Sequence, residues 1–180
     1  RAVCGFDVDV EWSNPSSTSI SAPLWLSIED SVDAGASGMM AMYGNSKSMS
    51  FMADDDVTVF AASEDAEDES ASGDVNWIGI SDRYFGMFVL PQSSGGSKVE
   101  IRQSGDEDNG YRLKQRWTRE ASIGANQSHK ESFSVYVGPL DMNKLTGTDE
   151  SLESVIQFGW FSFFARPLLW FLKIFYAGIG

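Results

Sequence analysis

Apolar and polar residues alternate along most of the chain up to Gly138, and a period of two predicts β-strands. The run 6–12 is the clearest, because four apolar residues there alternate with three acidic ones that would face water. We count about eight strand signals at spacings typical of an antiparallel β-sandwich. The other runs span 24–28, 48–52, 57–60, 75–80, 84–91, 99–101, 111–117 and 132–137. In the last run we expect Phe133, Val135 and Val137 to point inward.

A β-hairpin is predicted where the runs 99–101 and 111–117 flank the pair Asn109-Gly110. Asn-Gly is favoured in two-residue type I′ turns, because both central residues there have positive φ. Charged side chains on the two strands would then face each other across the hairpin. The acidic loop before the second strand also resembles a calcium loop, but Gly110 stands where a ligand is needed.

The hydrophobic period changes after the last strand. A short helix is predicted with Pro139 in its first turn and Gly147 as its stop. Thr148 can cap a second helix with an acidic first turn, and apolar residues from Leu152 to Gly159 recur at helical spacing. We therefore expect three parts: a β-sandwich over 1–138, short helices over 139–157, and a separate segment over 158–180.

Charge and composition restrict the possible partners. The 180 residues suffice for one domain, since folding at this size buries about 70% of the extended chain's surface. With 26 acidic and 13 basic residues the net charge is −13, which argues against nucleic acid as a partner. Residues 63–74 carry six acids and no base, and they lack the ligand spacing of a calcium site. We interpret them as a solvated acidic loop.

The start of the chain is informative in two ways. Cys4 is the only cysteine, so an internal disulfide is impossible, and we expect a buried, inert thiol. The chain opens at Arg1 without a methionine or an apolar signal segment. We therefore expect it to be an internal piece of a longer protein.

Residues 158–176, FGWFSFFARPLLWFLKIFY, hold nine aromatic residues. A core helix would be overfilled by so many rings. A membrane span is long enough, since 158–180 would rise about 35 Å against a hydrocarbon core of about 30 Å. However, Arg166 and Lys173 would each cost about 2.5–3.5 kcal/mol near the centre of a span, which offsets the apolar gain. At helical spacing both lie on one narrow polar stripe with Gly159, as in a helix lying in the bilayer interface.

In that interfacial helix we expect Arg166 and Lys173 to face lipid headgroups and Pro167 to introduce a kink, with Gly159 as a hinge. No acidic residue follows Ser154, so this segment can approach anionic lipid although the rest of the chain is repelled. The aromatic residues expected to anchor in the interface are Trp160, Phe163, Phe164, Trp170, Phe171 and Tyr176.

Several motifs together match one known family. They are VNWIGISDRYF at 75–85, Gly138-Pro139, Leu152-Glu153, Phe158-Gly159-Trp160, Ala165-Arg166-Pro167-Leu168 and Tyr176. The chain resembles the end of the large periplasmic domain of YidC-type membrane protein insertases. The specific match covers roughly 138–180 and 75–91, and the remainder agrees only in strand content. Gln157 departs from the family, which often has Asp at that position.

The resemblance implies a mainly β fold: a β-supersandwich like that of galactose mutarotases, with C-terminal α-helices. It places this part of the protein in the periplasm, at the bacterial inner membrane. It implies an insertase and chaperone that helps inner-membrane proteins insert and fold, alone or with the Sec translocon. The implied partners are the lipid surface, SecYEG, SecDF and nascent membrane proteins, without a cofactor. The family's functional arginine belongs to the membrane core, beyond Gly180.

An enzyme is not expected. His129 is the only histidine, it adjoins Ser128, and adjacent residues do not form a nucleophile–base pair. We interpret His129 as a surface residue before a strand, and metal-ligand spacing is absent. The alternative function is a non-catalytic carbohydrate- or peptide-binding β-sandwich module tethered to a membrane. Five of the seven methionines lie within 39–52, where they could form a pliable peptide surface or fill a core.

Overall fold

A computed structural model of the chain describes residues 5–32, 47–106 and 108–155. This part of the chain contains ten β-strands, one short α-helix and one 3₁₀ helix. The strands are β1 Gly5–Asn14, β2 Ile20–Val32, β3 Ser48–Ala53, β4 Asp56–Ala61, β5 Glu69–Gly73, β6 Val75–Ser81, β7 Phe85–Pro91, β8 Ser97–Asp106, β9 Gly110–Ile123 and β10 Gln127–Pro139; the helices are α1 Met142–Leu145 and the 3₁₀ helix Glu150–Val155.

The strands pair into two antiparallel sheets. The six-stranded sheet has the order β1-β10-β7-β6-β3-β4, and the four-stranded sheet has the order β2-β9-β8-β5. One core fills the space between them, with Phe51 and Ile78 from the larger sheet and Leu113 and Trp117 from the smaller one. The rings of Trp117 in β9 and Phe133 in β10 meet edge to face, with centroids 5.4 Å apart. This contact stabilises the packing of the two sheets against each other. The prediction of an antiparallel β-sandwich is confirmed.

The six-stranded sheet is also covered on its outer face. Trp77, Phe88 and Tyr136 project from it into a second cluster, which Leu145 of α1 and Leu152 of the 3₁₀ helix complete. Leu145 and Leu152 are fully buried there. A sheet buried on both faces needs continuous apolar runs rather than alternation, which explains why β6 reads VNWIGIS.

The three residues of β10 predicted to point inward share the inner face, but only two of them are buried. Phe133 and Val135 are buried as expected, but Val137 is 51% exposed, whereas its neighbour Tyr136 is fully buried on the opposite face. Phe6 and Phe85 share the inner face with Val137 and are also more than half exposed. The described part of the four-stranded sheet therefore leaves this end of the inner face open, and the helices cover the outer face instead.

The acidic stretch 63–74 was predicted to be a loop throughout, and its second half is not. Glu69–Gly73 form β5, which pairs with β8 so that Ala71 lies opposite Val99. Because β5 is an edge strand, it pairs on one side only and tolerates polar residues on the other. The small Ala71 side chain packs against the core.

The predicted hairpin joins β8 to β9, but with a longer turn than a type I′ pair makes. Asp106 pairs with Gly110, so three residues rather than two separate the strands. The Asp106 carboxylate accepts hydrogen bonds from the backbone N–H groups of Asp108 at 3.1 Å and Asn109 at 2.8 Å. This side chain occupies the turn, and Gly110 supplies the positive φ of 84°.

The helical end begins later than predicted. Pro139 is the last residue of β10, and α1 follows Asp141, whose carboxylate accepts from two backbone N–H groups of the first turn at 3.0 and 3.2 Å. The expected cap Thr148 instead donates to the carbonyl of Lys144 at 3.1 Å. Asp149 caps the 3₁₀ helix by accepting a hydrogen bond from the backbone N–H two residues on, at 2.8 Å. Aspartate caps both helices because a carboxylate accepts more strongly than a hydroxyl.

Gly79 provides a test of the outer cluster. A Cβ at this position would overlap the ring of the fully buried Phe88 and approach the carbonyl oxygen of Met87 to 2.6 Å. We expect Gly79→Ala to lower the free energy of unfolding by about 1–3 kcal/mol, measured by urea denaturation. The control Ser122→Ala, on the exposed outer face of β9, should change it by less than about 0.5 kcal/mol. Equal stability of the two variants would show that Phe88 can move.

The hydrogen bonds of the hairpin turn predict how the Asp106 carboxyl titrates at low pH. The hydrogen bonds that Asn109 donates from its backbone and side-chain amides hold the pKa of the Asp106 carboxyl below its ordinary value of 3.8. The folded state therefore gains stability from the ionised carboxylate above that value and loses it as the pH falls through the lower, folded pKa. In Asn109→Ala we expect the Asp106 carboxyl, followed by NMR, to titrate at higher pH than in the parent protein. An unchanged titration would mean that the side-chain hydrogen bonds are not formed in solution.

Candidate functional site

The residues predicted to contact a membrane lie outside the described residues. This applies to Gly159, Trp160, Phe163, Phe164, Arg166, Pro167, Trp170, Phe171, Lys173 and Tyr176. The structure describes the chain as far as Val155, three residues before this segment begins. Val155 ends the described chain and packs partly against the outer cluster, three residues after the fully buried Leu152. Within the described ranges no helix is both long and apolar enough to cross a membrane.

A groove of about 330 Å³ lies on the outer face of the six-stranded sheet, and Val155 is one of its lining residues. Its walls come from β3, β4, the β6–β7 turn and the helical end. The lining residues are Ser48, Ser50, Val59, Ser81, Asp82, Arg83, Leu140 and Val155. Val59, on the edge strand β4, is 46% exposed. Hydroxyl groups and short apolar side chains of this kind can bind a small polar ligand or a peptide. The carboxylate of Asp82 already accepts hydrogen bonds from the backbone N–H groups of Tyr84 and Phe85, which argues for a role in the turn.

A buried charged cluster joins the two sheets near the opposite end of the sandwich. Glu131 of β10 is fully buried and accepts a hydrogen bond at 3.0 Å from Nη1 of Arg119, which β9 supplies from the other sheet. Arg119 also donates to the carbonyl oxygen of Ser93 at 3.0 Å. Nε2 of His129 lies 3.3 Å from the second oxygen of Glu131. The cluster therefore satisfies a carboxylate that would otherwise be buried without a partner.

The interpretation of His129 as a surface residue before a strand was wrong. His129 lies inside β10, opposite Trp12 of β1, and its side chain is about one third exposed. An imidazole beside a carboxylate can support acid–base chemistry in principle. Here the carboxylate is already bound by Arg119, and both groups project from one strand rather than facing each other across a cleft. This geometry indicates a structural role.

The sequence contained a partial signal for this cluster. The period of two in β10 places Glu131 on the same side as Phe133, so an inward carboxylate could have been anticipated. Its partner Arg119 could not, because that pairing depends on how β9 and β10 face each other. In the described part of the chain, no three His, Cys, Asp or Glu side chains come close enough together to hold a metal ion.

Removing Arg119 tests how much the fold depends on this ion pair. We expect Arg119→Ala to destabilise the domain by about 3–5 kcal/mol, because it leaves the Glu131 carboxylate buried without its charged partner. Chemical denaturation measures the effect. The control Lys130→Ala removes the exposed partner of Asp9, 2.9 Å away, and should leave the unfolding midpoint nearly unchanged. Similar midpoints for the two variants would show that water reaches Glu131.

Comparison with known proteins identifies the family. The model of the YidC periplasmic domain family matches residues 5–171, which include both sheets and the helical end. The chain is 31% identical over 106 residues to the membrane protein insertase YidC of Pelobacter propionicus, covering 59% of this chain and 19% of that protein. It is 32% identical over 113 residues to the insertase YidC of Burkholderia mallei, covering 63% and 20%.

A third relative, the membrane protein insertase YidC of Geobacter metallireducens, is 32% identical over 100 residues, or 56% of this chain and 18% of the relative. The chain thus covers about a fifth of the length of the curated relatives that it matches. The family match extends over most of the chain and agrees with the two-sheet antiparallel fold. The resemblance seen in the sequence is confirmed: this chain belongs to the YidC periplasmic domain family.

Proposed function

We propose that this chain is the periplasmic domain of a bacterial inner-membrane insertase and chaperone, and that it contacts the lipid surface through residues 158–176. The family match supports the insertase assignment. The observation that carries the role of the segment is the burial of Leu152 and Leu145 on the outer face of the six-stranded sheet. The described chain packs against the domain as far as Val155. In this proposal, membrane contact by the segment that follows would therefore orient the β-sandwich.

The chemistry of that segment suits a membrane interface. Arg166 and Lys173 would face the headgroups, with the six aromatic anchors in the acyl boundary below them. Gly159 would allow the helix to turn away from the domain, and Pro167 would kink it. In this role the domain orients the membrane-embedded core and performs no chemistry of its own.

The partners follow from the family and are part of the proposal. Nascent membrane proteins would be the substrates, and SecYEG and SecDF would associate with the protein in the inner membrane, with the β-sandwich on the periplasmic side. The domain's acidic surface and its groove of about 330 Å³ offer separate places for such contacts.

A second function has one observation in its favour. The groove presents the hydroxyl groups of Ser48, Ser50 and Ser81, as a carbohydrate- or peptide-binding module would require. The methionines do not add to it: Met49 is fully buried in the core and Met52 packs partly against the outer cluster. These two fill cores, whereas Met39, Met40 and Met42 lie outside the described residues.

Vesicle binding tests the proposed membrane contact. We expect Trp170→Ser/Phe171→Ser to weaken partition onto neutral phosphatidylcholine vesicles at least about tenfold, because each buried aromatic side chain contributes about 1.5–3 kcal/mol. The control Tyr84→Ser/Phe85→Ser replaces two aromatic residues that are exposed on the β domain and should partition like the parent protein. Equal partition of all three proteins would contradict the proposal. The full-length insertase carrying the same pairs should show the same difference in the insertion of an inner-membrane protein.

A further inference from the structure

The outer face of the four-stranded sheet reverses the sign of the chain's charge. The alternation of β8 and β9 turns Val99, Ile101 and Leu113 into the core and turns the charged residues between them outward. The basic residues collected on this face, here called the basic face, are Lys98, Arg102, Arg112, Lys114 and Arg116; the acidic ones are Glu29, Glu100, Asp106 and Glu120. Five of the chain's 13 basic residues thus share one surface with four of its 26 acids.

Two of these acids are already bound within the basic face. Glu29 pairs with Lys114, and Glu100 pairs with both Lys98 and Arg102. These contacts hold the pKa of each carboxyl below its ordinary value, chiefly through the hydrogen bond from the lysine. Both acids therefore stay ionised at neutral pH and neutralise part of the positive charge. Among the described residues Arg112 and Arg116 form no ion pair, so their charges stay available to an external anion.

An exposed tryptophan borders the basic face. Trp25 of the edge strand β2 is 62% exposed, and the guanidinium of Arg116 lies over its ring, 5.3 Å from the centroid. At the end of the same sheet, Ser31 and Ser104 flank Arg112 in register and line an open cavity of about 320 Å³ with it. Hydroxyl groups beside a guanidinium are suitable donors to a phosphate.

The opposite side of the sandwich carries the other sign. On the outer face of β1, Asp7, Asp9 and Glu11 are exposed, and the helical end adds further acids. The acidic residues 63–68 border β5, so the basic face is most positive on its β2–β9 side, where Trp25 lies. The domain therefore has a positive and a negative side and would orient itself near a charged surface.

We propose that the basic face docks onto the phosphate groups of anionic lipids, with Trp25 at the headgroup level. This inference rests on the proposed location at the membrane and adds a second contact, distant in sequence from residues 158–176. A lipid surface is favoured over an acidic protein because the positive charge is spread over a broad, open sheet face, and because indole rings settle at the headgroup level. Each basic residue near an anionic surface contributes about 1 kcal/mol, or about fivefold in affinity.

The test compares two variants with the same change in net charge. Arg112→Glu/Lys114→Glu reverses two residues of the basic face, and the control Lys130→Glu/Lys144→Glu reverses two exposed residues on the opposite side of the sandwich. Each full chain is measured on vesicles of pure phosphatidylcholine and on vesicles containing phosphatidylglycerol, at low and high salt. We expect the preference for anionic vesicles to fall at least about tenfold in the first variant and by less than about threefold in the control.

An equal fall in both variants would overturn the inference, since net charge alone would then explain the binding. An unchanged preference for anionic vesicles in both variants would also overturn the inference, and it would favour an acidic protein as the partner of this face. Thermal unfolding of both variants verifies that they fold, and Trp25→Ser provides a second test at unchanged charge, with an expected loss of binding to anionic vesicles. A failure of the proposed function would be seen in a different experiment: binding to neutral vesicles would then be unaffected by the substitution of Trp170 and Phe171.

Discussion

The six-stranded sheet carries buried aromatic side chains on both faces, with Phe51 toward the four-stranded sheet and Trp77 and Phe88 away from it. Because each such side chain contributes about 1.5–3 kcal/mol when it leaves water, both faces need a cover. The smaller sheet covers one face, and the helical end covers the other through Leu145 and Leu152. The C-terminal helices are therefore part of the core as far as Val155, the last residue that the structure describes.

Acidic and basic residues lie on the opposite outer surfaces of these two layers. Acidic residues occupy the outer face of β1 and the helical end, whereas five basic residues occupy the outer face of the four-stranded sheet. Between the layers, Arg119 and Glu131 join the sheets through a buried ion pair. In the proposed function the basic face and the aromatic segment would contact the same membrane. Two weak contacts carried by one chain bind more strongly together than either does alone, provided that their geometry allows both at once.

Sequence reasoning found nearly all of the strands, because a period of two is visible wherever one strand face is buried. It missed β5, whose polar composition hides the one inward residue, Ala71, that packs against the core. It found the β8–β9 hairpin but predicted a two-residue Asn-Gly turn where residues 107–109 separate the strands, because the Asp106 carboxylate binds the backbone of the turn. It took His129 for a surface residue before a strand, because it began that strand at residue 132, whereas β10 begins at Gln127.

By itself the sequence determined the alternating strands, the apolar helical end and the family, and it predicts an amphipathic segment over 158–176. These depend on local periodicity and on residue identity, both of which can be read along the chain. Only the tertiary structure decided that Tyr136 is buried while Val137 is exposed, that Arg119 meets Glu131, and that five basic residues converge on one face. The physical reason is that alternation assigns a side chain to one side of a strand, whereas the packing of the layers decides which side is covered.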